Sequence, residues 1–170
     1  MCYKHDKNKT KEKKMNKTKT ITYAGLIAAL YVVLTFVSNV FGLASGPVQL
    51  RLSEALTILP VVTPSAIPGL FVGCLFANIF TGALPPDIIF GSLATLFGAI
   101  GTYLLRKNRF LAALPPVVSN AVIVPFVLIK AYGLEGTWWY FAITVGAGEL
   151  LSCVCLGLIL LKFIQKYKKM

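Results

Sequence analysis

From Glu54 to Gly82 the chain reads EALTILPVVTPSAIPGLFVGCLFANIFTG: apolar almost throughout, broken by Pro60, Pro64 and Pro68, and entered past Arg51. A membrane helix needs about 20 residues at about 1.5 Å rise each, so the run is too long for one crossing and too short for two full ones. A helix interrupted within a bilayer frees backbone groups that only protein or a water-filled cavity can satisfy. The run therefore predicts a polar site inside a membrane bundle. Pro60 and Pro64 each remove a backbone donor and disfavour helix in the preceding residue, while Ser65 can cap a new helix with Pro68 in its first turn. This divides the run into a short helix and a longer one. The short member can be drawn backward through residues 47–53, which sets Gln49, Arg51 and Glu54 near the outer surface.

Composition agrees on the class. Of 170 residues, 56% are hydrophobic and the mean hydropathy is +0.74, which describes an all-α integral membrane protein and not a soluble domain. Residues 1–20 differ: MCYKHDKNKTKEKKMNKTKT sets eight Lys against Asp6 and Glu12 with almost no apolar content, and reads as a disordered tail. Residues 21–170 form the membrane domain. The apolar run after the tail is too long for a signal peptide and lacks a small-residue cleavage site. A net charge of +11 would point to nucleic acid in a soluble protein, but here the charges sit between hydrophobic runs and no nucleic-acid partner is expected. Cys2, Cys74, Cys153 and Cys155 lie in the tail or in apolar helices without metal-like spacing, so neither a disulfide framework nor a metal site is predicted.

Apolar runs at about 21–41, 54–82, 87–105, 111–132 and 137–161 are each long enough to cross. Charge parity decides whether the second counts once or twice, because Lys and Arg in short loops mark the cytoplasmic face. With the run split, the tail, the loop Arg106, Lys107, Arg109 and the terminal Lys162, Lys166, Lys168 and Lys169 fall on one side, leaving only Arg51 and Lys130 elsewhere. Unsplit, the middle loop and the C-terminus would lie outside. The expectation is a six-helix bundle in the cell membrane with both termini cytoplasmic. Trp138, Trp139 and Tyr140 then open the last helix at the outer interface, as an aromatic belt does.

Outside the cytoplasmic segments the charged residues are Arg51, Glu54, Asp87, Lys130, Glu135 and Glu149. Five lie near the proposed outer face. Glu149 stands eleven residues past Trp138, about 16 Å down its helix, where hydrocarbon is costly for a carboxylate and the side chain must face a partner or a ligand. Asn78 and Asn120 also fall inside helices, as site residues or as interhelical glue. Arg51 and Glu54, three apart, can equally form a helical surface pair, and Glu135 reads as a solvated loop residue.

Small-residue spacing adds Ala24 and Ala28 in the first helix, overlapping Gly25 and Ala29, and Gly69 with Gly73 in the third; such faces allow close helix contact. No G-x-x-x-x-G-K-[ST] loop is present, so the chain does not hydrolyse a nucleotide by that route. No duplicated halves of the ion-driven carrier kind are visible. With its only His in the tail and no nucleophile-base pair, an enzyme is not expected, and no cofactor is implied. A polar site in a small bundle without an energy source points to a binding subunit that borrows a motor.

The strings Arg51-Leu52-Ser53-Glu54-Ala55-Leu56-Thr57-Ile58-Leu59-Pro60, Pro64-Ser65-Ala66-Ile67-Pro68-Gly69-Leu70, Gly73-Cys74 with Ala77-Asn78, and Asp87-Ile88-Ile89-Phe90-Gly91-Ser92-Leu93-Ala94-Thr95 resemble the QueT family of queuosine-precursor transporters. The resemblance runs from about Ile21 to the end. These are the substrate-binding S components of energy-coupling factor (ECF) transporters. The resemblance implies a six-helix fold that binds a 7-deazaguanine, such as the aminomethyl queuosine precursor, from outside. It also implies a transmembrane coupling protein and two ATPase subunits, and an A-x-x-x-A motif facing the coupling protein, matched here by Ala24 and Ala28.

The site chemistry is compatible. A guanine-like edge offers adjacent N–H donors to one carboxylate, and a protonated aminomethyl group needs a second anion or amide oxygens. Glu149 or Glu54 can serve the edge and Asp87 the amine, with Asn78, Asn120, Gln49 and Arg51 as further partners and Trp138, Trp139 or Tyr140 covering the ring. Two rival readings remain open: an S component for another vitamin-like solute, and a membrane structural or assembly protein with no small-molecule ligand.

Overall fold

Leu52–Val61 forms a 3-10 helix with Pro60 inside it, and the rest of the molecule is built around this short element. In the computed structural model, which describes residues 17–43 and 50–168, the helices in chain order are α1 (Lys17–Val40), α2 (Leu52–Val61), α3 (Ala66–Phe80), α4 (Pro85–Leu104), α5 (Arg109–Lys130) and α6 (Trp138–Tyr167). No strand occurs among the described residues. Helices α1, α4, α5 and α6 are long and apolar enough to cross a bilayer, while α2 and α3 are shorter apolar helices. The proline-rich run thus divides as its sequence predicts. Helix α1 already includes residues 17–20, inside the segment read as tail, and the earlier Lys-rich residues lie outside the described residues.

A 3-10 helix rises about 2.0 Å per residue against about 1.5 Å for α, so ten residues reach about 20 Å into the bundle. The first free donor of α2 is satisfied across the interface, since Leu52 N–H donates to Ser38 Oγ of α1 at 2.9 Å, and Ser53 Oγ lies 2.9 Å from Thr35 Oγ1. Arg51 is extended, with φ −100° and ψ 109°. Helix α2 therefore starts at Leu52, with Leu50 and Arg51 before it outside the helix, and residues 47–49 lie outside the described residues. Ser65 also departs from expectation. Its hydroxyl pairs with Thr63 Oγ1 at 2.7 Å and does not cap α3, although Pro68 does fall in the first turn of that helix.

Helix α2 packs against α1, α3, α4, α6 and the first turn of α5. Ile27 and Tyr31 of α1, Leu56 of α2, and Leu70 and Cys74 of α3 form one buried cluster. Glycines bring the outer helices together. A Cβ at Gly69 would meet the Ala24 carbonyl oxygen at 2.6 Å, and one at Gly73 would meet Ala28 Cα at 3.0 Å. Helices α4 and α5 close in the same way, with Gly98 against Pro116 and Gly101 against Pro115.

Helix α6 is not uniform. Between Trp138–Glu149 and Gly157–Lys168 it passes through a π-helical segment, Leu150–Leu156. At one end of the bundle Ile58, Ala112, Ala113 and Leu161 pack together, beside the basic loop 106–109. The opposite end carries the C-terminus of α1 and the loops 81–84 and 131–137, and a cavity opens there.

Candidate binding site

The cavity, about 620 Å³, is enclosed by Thr35 and Asn39 of α1, Arg51, Asn78, Asp87, the α5 face at Val124 and Leu128, and Tyr140 and Phe141 of α6. Its size falls in the range of small-molecule pockets. Below it lies a recess of about 10 Å³ lined by Arg51, Glu54, Thr95, Asn120, Val124 and Glu149. Arg51 and Val124 belong to both, so the two spaces adjoin along Arg51.

Asp87 lies in the first turn of α4, where the helix dipole favours a carboxylate. It is buried, and Tyr132 Oη donates to its Oδ2 at 3.0 Å. Partial burial raises the Tyr132 phenol above its ordinary value, so it stays protonated and keeps donating. Asn78 Nδ2 reaches the Asp87 carbonyl oxygen at 3.4 Å. Both side chains lean over Gly91, where a Cβ would meet Asn78 Nδ2 and Asp87 Oδ1 at 3.2 Å each. That glycine keeps the wall thin.

Glu54 is 1% exposed, the third residue of a helix whose extended entry at Arg51 carries it inward. Tyr31 Oη donates to Glu54 Oε1, while Oε2 is buried without a partner among the described residues. Glu54 is therefore an interior group and not, as its position in the sequence led us to expect, an outer-surface one. Glu149 ends the α-helical half of α6 and is also buried. Cys153, one turn on, has its Sγ 3.2 Å from Glu149 Oε2 and 3.5 Å from the Glu54 carbonyl oxygen, and Thr57 Oγ1 donates to that sulfur at 3.4 Å. The thiol ties α6 to α2 just where the π-helical segment lies, a form common at functional sites. Donor atoms of Glu54, Glu149 and Cys153 lie within 4.8 Å of one another, near enough to hold a metal ion. The Arg51 guanidinium lining the same recess already supplies positive charge there.

Of the residues singled out in the sequence, Arg51, Glu54, Asn78, Asp87, Asn120, Glu149 and Tyr140 line these two adjoining spaces. Gln49 lies outside the described residues. Trp138 is not among the lining residues; its ring packs on Phe126 at 5.7 Å and on Trp139 at 4.7 Å. Ala24 and Ala28 are half-buried against Gly69 and Gly73 of α3, whereas Gly25 and Ala29 on the same helix are exposed. Three participants carried no sequence signal as site residues: Tyr31, one aromatic in an apolar helix; Tyr132, in a loop; and Cys153, a cysteine in an apolar helix without metal-like spacing. Glu135, read as solvated, is exposed and lines the cavity mouth.

An all-helical bundle with four helices long and apolar enough to cross a bilayer, and a polar cavity open at one end, has the build of a multi-pass membrane protein. The sequence model of the QueT transporter family matches residues 21–166, and the chain belongs to that family. Among curated proteins it is 35% identical over 97 residues to the queuosine precursor transporter QueT of Lactococcus lactis subsp. cremoris (strain MG1363), a match covering 56% of this chain and 57% of that protein. The matched part thus spans little more than half the length of that relative. No solved structure matches the chain.

Proposed function

We propose that the protein is the substrate-binding membrane subunit, the S component, of an ECF transporter that imports a queuosine precursor, a 7-deazaguanine such as the aminomethyl form. The observation that carries this reading is the separation of anions in the site. Asp87 stands in the wide outer cavity, while Glu54 and Glu149 stand in the recess below it. A ligand with an ammonium group at one point and adjacent ring N–H donors at another meets both. Tyr140 and Phe141, on the cavity wall, offer ring faces to a planar heterocycle.

The cavity faces outward and both termini are cytoplasmic, because Lys17, Lys19, Arg106, Lys107, Arg109, Lys162 and Lys166 gather at the end away from it. Energy comes from a transmembrane coupling protein with two ATPase subunits. Helix α1 is the least covered of the four spanning helices and presents that partner with its exposed side, beside Ala24 and Ala28. The deciding experiment is mass spectrometry of the solute that remains with purified protein, followed by its titration back onto stripped protein. A 7-deazaguanine is expected; a retained solute that is not a purine would overturn the reading.

A further inference from the structure

Arg51 lines both the outer cavity and the inner recess. Among the described residues its guanidinium makes no hydrogen bond, although it lies in the field of Asp87 on one side and Glu54 on the other. A guanidinium carries five N–H donors in a rigid fork, and Arg51, half-buried on the cavity wall, holds them where an entering ligand can accept from them. The arrangement asks for an acceptor that arrives with the ligand.

The order of charges narrows what that acceptor is. From the mouth inward the groups run Asp87, then Arg51, then Glu54 with Glu149: anion, cation, anions. The edge of a 7-aminomethyl-7-deazaguanine runs in the matching sequence, with the ammonium on C7, the carbonyl oxygen on C6, then N1–H and the 2-amino group. Because the ring has carbon where guanine has N7, the fork cannot grip O6 and N7 together, as arginine does on guanine in DNA. One arm meets O6, and the other stays directed at Asp87.

Resting on the function proposed above, we infer that Arg51 donates to the 6-oxo oxygen and is the residue that selects 6-oxo over 6-amino rings. A 6-amino ring would set donor against donor and cover the guanidinium without giving it an acceptor, the situation in which polar sites discriminate most strongly.

The test is calorimetric titration of the purified full-length protein with 7-aminomethyl-7-deazaguanine and with its 6-amino counterpart, 2,6-diamino-7-aminomethyl-7-deazapurine. The wild-type protein is expected to prefer the 6-oxo ring by about 100-fold or more. Arg51→Gln should weaken the 6-oxo ligand by about 30-fold, leave the 6-amino ligand nearly unchanged, and collapse the preference. Asp87→Asn should weaken both ligands alike and keep the preference, since both carry the amine. Binding of the two rings within about threefold by the wild-type protein, or an intact preference in Arg51→Gln, overturns the inference while leaving the proposed function standing. Failure of both rings alongside binding of an unrelated solute overturns both. The wild-type comparison requires no variant, so a misfolded Arg51→Gln does not shield the inference.

Discussion

At the scale of single residues, the site is a set of buried groups whose partners are only partly supplied by the protein. Glu54 keeps one oxygen on Tyr31 and the other unpartnered, and Glu149 is reached by the Cys153 thiol. Converting either to an amide keeps the shape and removes the charge. Glu54→Gln and Glu149→Gln are each expected to weaken 7-aminomethyl-7-deazaguanine by about 10- to 100-fold in a calorimetric titration, the range for a hydrogen bond to a charged group. If both variants bound as tightly as the wild type, the recess would not hold the ligand. Tyr132→Phe removes one donor from Asp87 while the carboxylate remains, so a smaller loss of about 3- to 10-fold is expected in the same assay. Glu149 was legible in the sequence because a carboxylate deep in hydrocarbon must turn inward. Tyr31 was not, because a hydroxyl at the tip of an otherwise apolar side chain leaves no mark on helical periodicity. Glu54 was half legible: its type pointed to the site, but its depth depended on Arg51 being extended and α2 starting at Leu52.

At the scale of elements, the bundle depends on places where a side chain would not fit. Gly69→Ala puts a methyl group 2.6 Å from the Ala24 carbonyl oxygen, well inside van der Waals contact, and α1 must shift. The expected cost is about 1–3 kcal/mol, read as a lower unfolding temperature of the purified protein. Gly25→Ala on the exposed side of α1, where a Cβ meets nothing within 4 Å, should leave that temperature unchanged or raise it slightly, since Ala favours helix over Gly. Equal destabilisation by the two would mean that α1 and α3 do not meet through this face. The prolines made the division of residues 54–82 readable, and the spacing of Gly69 and Gly73 with Ala24 and Ala28 announced close packing. The sequence could not say which partner those small residues meet. Nor did the 3-10 form of α2 or the π-helical segment of α6 show in it, since both are chosen by packing around a polar centre and not by local propensity.

At the scale of the whole molecule, charge and cavity occupy opposite ends. On the orientation proposed above, a single cysteine placed by Glu135→Cys in a background lacking the native cysteines is expected to react with a membrane-impermeant maleimide on intact cells. One placed by Lys107→Cys should react only after permeabilisation. The reverse pattern would invert the protein and place the cavity inside. The six-segment architecture followed from hydropathy and Lys/Arg parity alone, whereas the meeting of α2, α4, α5 and α6 at one recess required the fold. Helix α6 then carries a lesson about insertions. An α-helix turns about 100° per residue, and a π turn amounts to one residue inserted into it. Deleting a single residue between Leu150 and Leu156 would therefore let the segment close to regular α-helix with Glu149 and Leu161 facing much as they do now, whereas the same deletion in the α-helical stretch between Gly157 and Leu161 would turn Glu149 and Tyr140 about a quarter-turn around the axis relative to Leu161. The π-helical segment is thus the place where α6 takes up an extra residue locally, so that Glu149 on one side of it and Leu161 on the other both stay turned into the bundle.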